Sequence, residues 1–392
     1  MRVVTIILIS LFLFGCTTLS ETLVGLTDSL LGGTDNQEPP VALMPLEAEI
    51  GIRKVWRENV GVGYDDQFVK LVPAVSDGKV IAADREGLVR AYDIRDGDEL
   101  WETETEKAVS SGPGIGYRTV LLGTSNAQVI ALNSDDGAVL WTADVSSEIL
   151  SIPRAEKGVV VVRSIDGKVI ALSEDRGTEL WSFERTEPAL SLRGTGSPVI
   201  IGDVIIDGYD SGKLIALQLN DGKQLWETSI AIPRGRSELE RLVDLDADPV
   251  VVDNVAYVAG FQSGVSAVSL GDGDVLWRRE ELSSSAGMSA DWRYLYLTDD
   301  ESHVWQLDQR NGAALWKQRD LHRRKLTAPV AYDRFIVVGD YEGYLHWLSQ
   351  DDGHQMGRVR VTDEPIMAAP VVMDDVVYVY ASDGTLAAYA VE

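Results

Sequence analysis

The stretch PRAEKGVVVVRSIDGKVIALSEDRGTELW, from Pro153 to Trp181, decides the fold. It holds two short apolar runs, Val159 to Val162 and Val169 to Leu172, and a third that ends in Leu180-Trp181. Turn residues separate them, with Gly167 fourteen positions and Gly177 twenty-four positions after the proline. Four-residue runs that are apolar on both sides read as strands buried on both faces. Glycine at a fixed place in a turn answers a backbone that needs a positive φ angle. A fourth strand starts at the proline, which sits at a strand end because it has no ladder donor to give.

Working outward, the same unit recurs along the chain. Pro73, Pro113, Pro153, Pro198, Pro249, Met288 and Pro329 each lie 28 residues before Trp101, Trp141, Trp181, Trp226, Trp277, Trp316 and Gly357. The twenty-fourth position is always glycine, from Gly97 to Gly353. The fourteenth is always small: Gly87, Gly167, Gly212, Gly343 and Gly384, with Ala127, Ser263 and Ser302 in the other units. Four antiparallel strands in about 40 residues, repeated radially, define a β-propeller. An eighth copy starts at Pro370 and stops at Glu392, before its last strand, whereas Lys54-Val55-Trp56 is a last strand with no unit before it. Joining the two gives an all-β, eight-bladed propeller over residues 51–392, closed by an N-terminal strand in the C-terminal blade. A linear stack of the units is the alternative, and the complementary half-units at the termini argue against it.

Composition narrows the function. With 62 acidic against 35 basic side chains and a formal charge of −27, the chain lacks the basic field that nucleic acid requires. At 45% apolar it has ample material for a core. Residues 1–15 read as a signal peptide, with Arg2 ahead of an apolar run from Val3 to Phe14 that is too short to span a bilayer. Leu13-Phe14-Gly15-Cys16 resembles a lipobox, so Cys16, the sole cysteine, is the expected lipidation site. Thr17 after it implies sorting to the outer membrane. Residues 16–50, with the breaker cluster from Gly32 to Pro40, read as a lipid-anchored flexible tether.

The connection from each terminal Trp to the next unit carries the variation in length. Five connections span 11 to 13 residues, but Trp56 to Pro73 and Trp181 to Pro198 each span 17, and Trp226 to Pro249 spans 23. Connections of one kind lie on one face, so that face is elaborated into a binding surface. The loop containing Leu190, Leu192 and Arg193 and the loop running to Asp244 and Asp246 are adjacent. Their leucines read equally as partner anchors or as satellite core. Asp244, Asp246 and Asp248 alternate as calcium ligands do, but the glycine and the distal glutamate of that motif are missing. His303, His322, His346 and His354 have no zinc-like spacing, and no nucleophile elbow or phosphate loop is present. The repeated tryptophans read as packing residues.

The Asp-Gly-x-x-Leu-Trp ending resembles the repeat of pyrroloquinoline quinone dehydrogenases. Those enzymes set adjacent cysteines against the quinone, whereas the single cysteine here is assigned to lipid, so neither cofactor nor enzymatic activity is expected. Residues 52–392 are more similar to the BamB family of outer-membrane β-barrel assembly lipoproteins. The resemblance is carried by Ala82 to Val89, by Leu190 to Gly194, by Glu238 to Asp246 and by Gly339 to Leu345. It implies a non-enzymatic scaffold on the periplasmic side of the outer membrane that binds the POTRA domains of BamA within the BAM complex and assists folding and insertion of outer-membrane proteins. It also implies partner contacts at Leu190, Leu192, Arg193, Asp244 and Asp246. Unfolded outer-membrane proteins adding a strand to a blade edge are a further implied partner.

Overall fold

The computed structural model describes residues 38–185, 194–231, 243–245 and 247–392. From Pro40 onward the chain is one compact unit, an eight-bladed propeller of antiparallel sheets. Blade 3 is representative. Its strands Arg154–Glu156, Val159–Arg163, Val169–Ser173 and Glu179–Phe183 pair in sequence order from the axis outward. The second and third strands of the blades are almost entirely buried, because sheets stack against both of their faces. Outermost strands alternate, as in Glu99–Glu104, where Trp101 is buried and its neighbours are exposed.

Closure follows the half-unit reading. Strand Ile52–Asn59 pairs antiparallel with Thr385–Val391, from Ile52 opposite Val391 to Asn59 opposite Thr385, and Trp56 lies opposite Ala388. The innermost strands of blades 1 and 8 touch, completing the ring. No blade edge is left open at the seam, where unpaired N–H and C=O groups would otherwise face solvent.

The tryptophans lock the blades together. Trp141 lies against blade 3, where a Cβ on Gly177 would stand 2.5 Å from the indole ring. Its Nε1 donates to the Glu174 carbonyl at 2.8 Å. Trp56, Trp101, Trp181, Trp226, Trp277 and Trp316 repeat both contacts on the following blade, each against the glycine at the twenty-fourth position. That glycine therefore serves two ends. It supplies a positive φ, 69° at Gly177, and it admits the ring.

Several details depart from the repeat. Blade 2 gains a fifth strand, Lys70–Leu71, parallel to the axial side of its innermost strand Val109–Ile115. That innermost strand starts four residues before Pro113, and its ladder to Thr119–Thr124 skips Gly112 and Pro113, so the missing donor is accommodated by an irregular register. In blade 5 the positive φ falls on Gln262 and Gly264 rather than on Ser263 between them. Residues 41–50, expected as tether, run along the outer side of blade 7 within the compact unit. The Val41 amide donates to the His322 carbonyl, the Arg358 guanidinium to the Met44 carbonyl at 2.7 Å, and the Glu49 amide to the Met356 carbonyl at 2.8 Å.

Candidate functional site: the elaborated face

All three long connections meet at one ammonium group. Lys70 belongs to the Trp56–Pro73 connection, and its Nζ donates to the Thr195 carbonyl at 2.7 Å and to Ser197 Oγ at 3.0 Å, both in the Trp181–Pro198 connection. It also reaches Asp248 Oδ1 at 2.5 Å, in the Trp226–Pro249 connection. Three N–H donors thus meet three acceptors, which satisfies the group fully. Asp248 is drawn in further by the Ser197 amide at 2.6 Å and by Arg154 on blade 3 at 3.4 Å. Burial pushes the Asp248 carboxyl up, but Lys70 and Arg154 outweigh it and hold the group below the ordinary range. Ser197 Oγ also accepts from the Ile152 amide at 2.9 Å. The node binds the feet of the elaborated loops to blades 2, 3, 4 and 5 on the axial side.

A second, drier cluster lies between blades 3 and 4. Arg163 is buried, donates to the Gly208 carbonyl, and pairs with Asp210 at 3.0 Å and Asp207 at 3.6 Å. Its guanidinium lies 4.9 Å from the centre of the Tyr209 ring, and that of Arg185 lies 5.7 Å away. Desolvation alone would lower the Arg163 pKa, yet Asp207, Asp210, Tyr209 and Asp244 raise it. Asp207 shows the reverse balance: burial pushes its carboxyl up to about 6 against the pull of Arg163. At the foot of the first loop Arg185 and Lys213 grip Glu227, whose carboxyl is held at about 2 chiefly by the Arg185 hydrogen bond.

Of the sequence-derived site residues, Leu190, Leu192, Arg193 and Asp246 lie outside the described residues, as does Cys16. Asp244 is described, and it is buried. Its amide donates to the Phe261 carbonyl and its carbonyl accepts from Ser263 Oγ at 2.7 Å, while its charge acts on Arg163. Val243 and Leu245 beside it are core residues, as are Ile230 and Ala231 at the other foot of the same loop. Between the histidines the structure reports a contact that spacing hid: His303 and His322, nineteen residues apart, stack at 4.8 Å.

Sequence reasoning missed Lys70, Arg163 and Asp207, although each carried a signal. Lys70 is the only Lys or Arg between Arg57 and Pro73. Asp207 occupies the ninth position after the unit start, where the other blades have Ala82, Leu122, Val162, Val258, Leu297, Val338 and Val379. Arg163 is the only charged residue at the tenth. A charge that breaks an apolar column of the repeat needs a partner, and each is the other's.

Fold and site together define a propeller whose central polar groups brace loops on one face. The family model described as outer membrane protein assembly factor BamB matches residues 85–318 and 306–392. A relative of that name from Alkalilimnicola ehrlichii is 50% identical over 339 residues, covering 86% of this chain and 88% of its own. The chain belongs to the BamB family. The crystal structure of BamB from Moraxella catarrhalis superposes with a TM-score of 0.77 at 24% identity, covering 87% of this chain and all of that one. A quinohemoprotein alcohol dehydrogenase from Comamonas testosteroni shares the fold alone, with a TM-score of 0.69 at 13% identity over 86% of this chain and 76% of its own.

Proposed function

We propose that this chain is a non-enzymatic scaffold of the outer-membrane β-barrel assembly machinery. A lipid on Cys16 holds it at the periplasmic face of the outer membrane. Its elaborated face binds the POTRA domains of BamA and assists folding and insertion of outer-membrane proteins. The observation that carries this reading is the convergence of the three long connections on Lys70. Polar groups that meet there saturate one another, which suits a brace for the long connections better than a substrate pocket. The names of the family and of its relatives support the role in outer-membrane protein assembly.

Within that reading Leu190 and Leu192 bury apolar area on the partner and Arg193 fixes the orientation. Asp246 pairs with partner cations. Burial of Asp244 supports bracing of the arginine loop rather than direct contact. Replacing Arg193 with Ala is expected to reduce co-purification with BamA from solubilised membranes while leaving the melting temperature unchanged. A normal yield of the complex would refute the assignment.

Unfolded outer-membrane proteins are a second class of partner. Leu100, Leu140, Leu180, Leu225, Leu276 and Leu315 stand 44–55% exposed on the outermost strands of six blades. An edge strand with exposed leucines suits the addition of an alternating apolar strand. Glu at Leu180 and Leu225 should reduce crosslinking to an unfolded barrel protein, and an unchanged yield would exclude these two edges.

A further inference from the structure

We propose that Glu301, His303 and His322 form a zinc site that fastens the N-terminal segment to the propeller. Two elements bring the ligands together. In blade 6 the turn after strand Tyr294–Thr298 carries Glu301 and His303, and the connection to blade 7 carries His322. The Arg323 amide donates to the Glu301 carbonyl at 2.8 Å, tying connection to turn. The imidazole rings stack at 4.8 Å and 18°. One ligand atom from each of the three residues lies within 4.8 Å of the others. Zinc bonds of about 2.0–2.2 Å require ligand atoms nearer to one another, so binding requires the exposed Glu301 and the half-buried His322 to move inward.

The surrounding groups prepare a ligand rather than a simple ion pair. Asp299 lies at 3.0 and 3.1 Å from His303 Nδ1 and also accepts from the His303 amide at 2.8 Å and from Trp305 Nε1 at 2.8 Å. A carboxylate on one imidazole nitrogen fixes the tautomer and leaves the other, Nε2, to take a metal; Glu301 Oε2 lies 3.6 Å from Nδ1, so it has to swing across to join it. At His322, Nε2 accepts from the Arg323 guanidinium at 3.3 Å, so that nitrogen presents its lone pair, and the ion would replace this donor. Lys317, 3.7 Å from Asp299, offsets part of the acidic charge. Two imidazoles with one carboxylate select zinc over magnesium, which takes oxygen ligands. The His322 carbonyl accepts from the Val41 amide, and Arg324 donates to the Val41 carbonyl at 3.0 Å. An ion at His322 would therefore stiffen the point where residues 41–50 join the blades.

Zinc chloride titrated calorimetrically into the full-length chain in detergent, without a polyhistidine tag, should show one saturable site per chain. Glu301→Gln and His322→Gln should each weaken binding at least tenfold. Glu301 is exposed, so its variant should melt as the parent does without metal. His354→Gln, at the separate His354–Asp352–Glu49 group, should leave the affinity unchanged. Zinc should also slow hydrogen exchange at the Val41 amide. Absence of saturable binding, binding that survives both ligand variants, or binding lost in His354→Gln overturns the proposal. An unchanged Val41 exchange rate at saturating zinc overturns its fastening role.

Discussion

Replacing Lys70 with Met keeps the apolar stem and removes the ammonium that joins three connections. The change deletes hydrogen bonds to Thr195, Ser197 and Asp248 and leaves Asp248 with the Ser197 amide and Arg154. A hydrogen bond to a charged group contributes about 1.5–3 kcal/mol, and removing one partner of a buried ion pair costs about 3–5 kcal/mol. The side chains here are 19% and 30% exposed, and solvent screening brings the expected loss down to about 2 kcal/mol. Urea unfolding at pH 7 measures it. Hydrogen exchange should locate it at 194–198 and 243–248 as well as at 69–71. The loss should shrink in acid. A carboxyl held below its unfolded value contributes stability present above that value, about pH 4, and lost as pH falls through its folded pKa. A loss under about 0.5 kcal/mol, or one with exchange changes confined to the short strand at Lys70, would refute the claim that this residue joins the loops.

Two further substitutions test the interior. Asp207 has its carboxyl raised to about 6, so the wild-type fold should lose on the order of 2–3 kcal/mol as pH rises from about 4 through 6. Asp207→Asn should abolish that dependence and melt higher than the wild type at pH 7.5, because Asp210 still pairs Arg163 at 3.0 Å; parallel pH profiles for the two proteins would contradict it. Gly177→Ala places a methyl 2.5 Å from the Trp141 ring at a φ of 69°. It should destabilise by about 2–4 kcal/mol in urea, whereas Ala at Gly158, with no atom within 4 Å of the new methyl but a φ of 80°, should lose only about 1 kcal/mol.

The propeller was legible because its determinants are local and repeated. A glycine every unit, in six units a tryptophan four residues later, and paired apolar runs each state one piece of geometry, and the repetition makes the piece unmistakable. The site was legible only as a place. Length arithmetic found the three long connections, since extra residues on a rigid ring have nowhere to go but one face. It did not reveal that they touch, because Lys70, Thr195 and Asp248 lie 125 and 178 residues apart in sequence. Nor did it place Asp244: the resemblance implies partner contact there, whereas Asp244 is buried and Asp248 turns to Lys70. Charge spacing along a loop says little about which side chains turn inward when the loop's feet are core residues.

The interface between blades 7 and 8 is built differently from the other seven. Both halves of the tryptophan lock are missing there: Gly357 stands where blade 7 should offer an indole, and Ile52, four residues before Trp56, stands where blade 8 should offer a glycine. Ile50 and Ile52 come within 3.0 Å of where a Gly357 Cβ would lie, filling the place that an indole takes elsewhere. The seam therefore depends on the N-terminal segment twice, through the ladder from Ile52 to Asn59 and through the isoleucines against blade 7. Burying an aliphatic side chain contributes about 1.5–3 kcal/mol, less than the 3–5 kcal/mol expected for a buried indole. The ladder and the docked residues 41–50 must offset the difference. Restoring a side chain at Gly357 should consequently weaken the ring instead of completing it, since the segment already occupies the space.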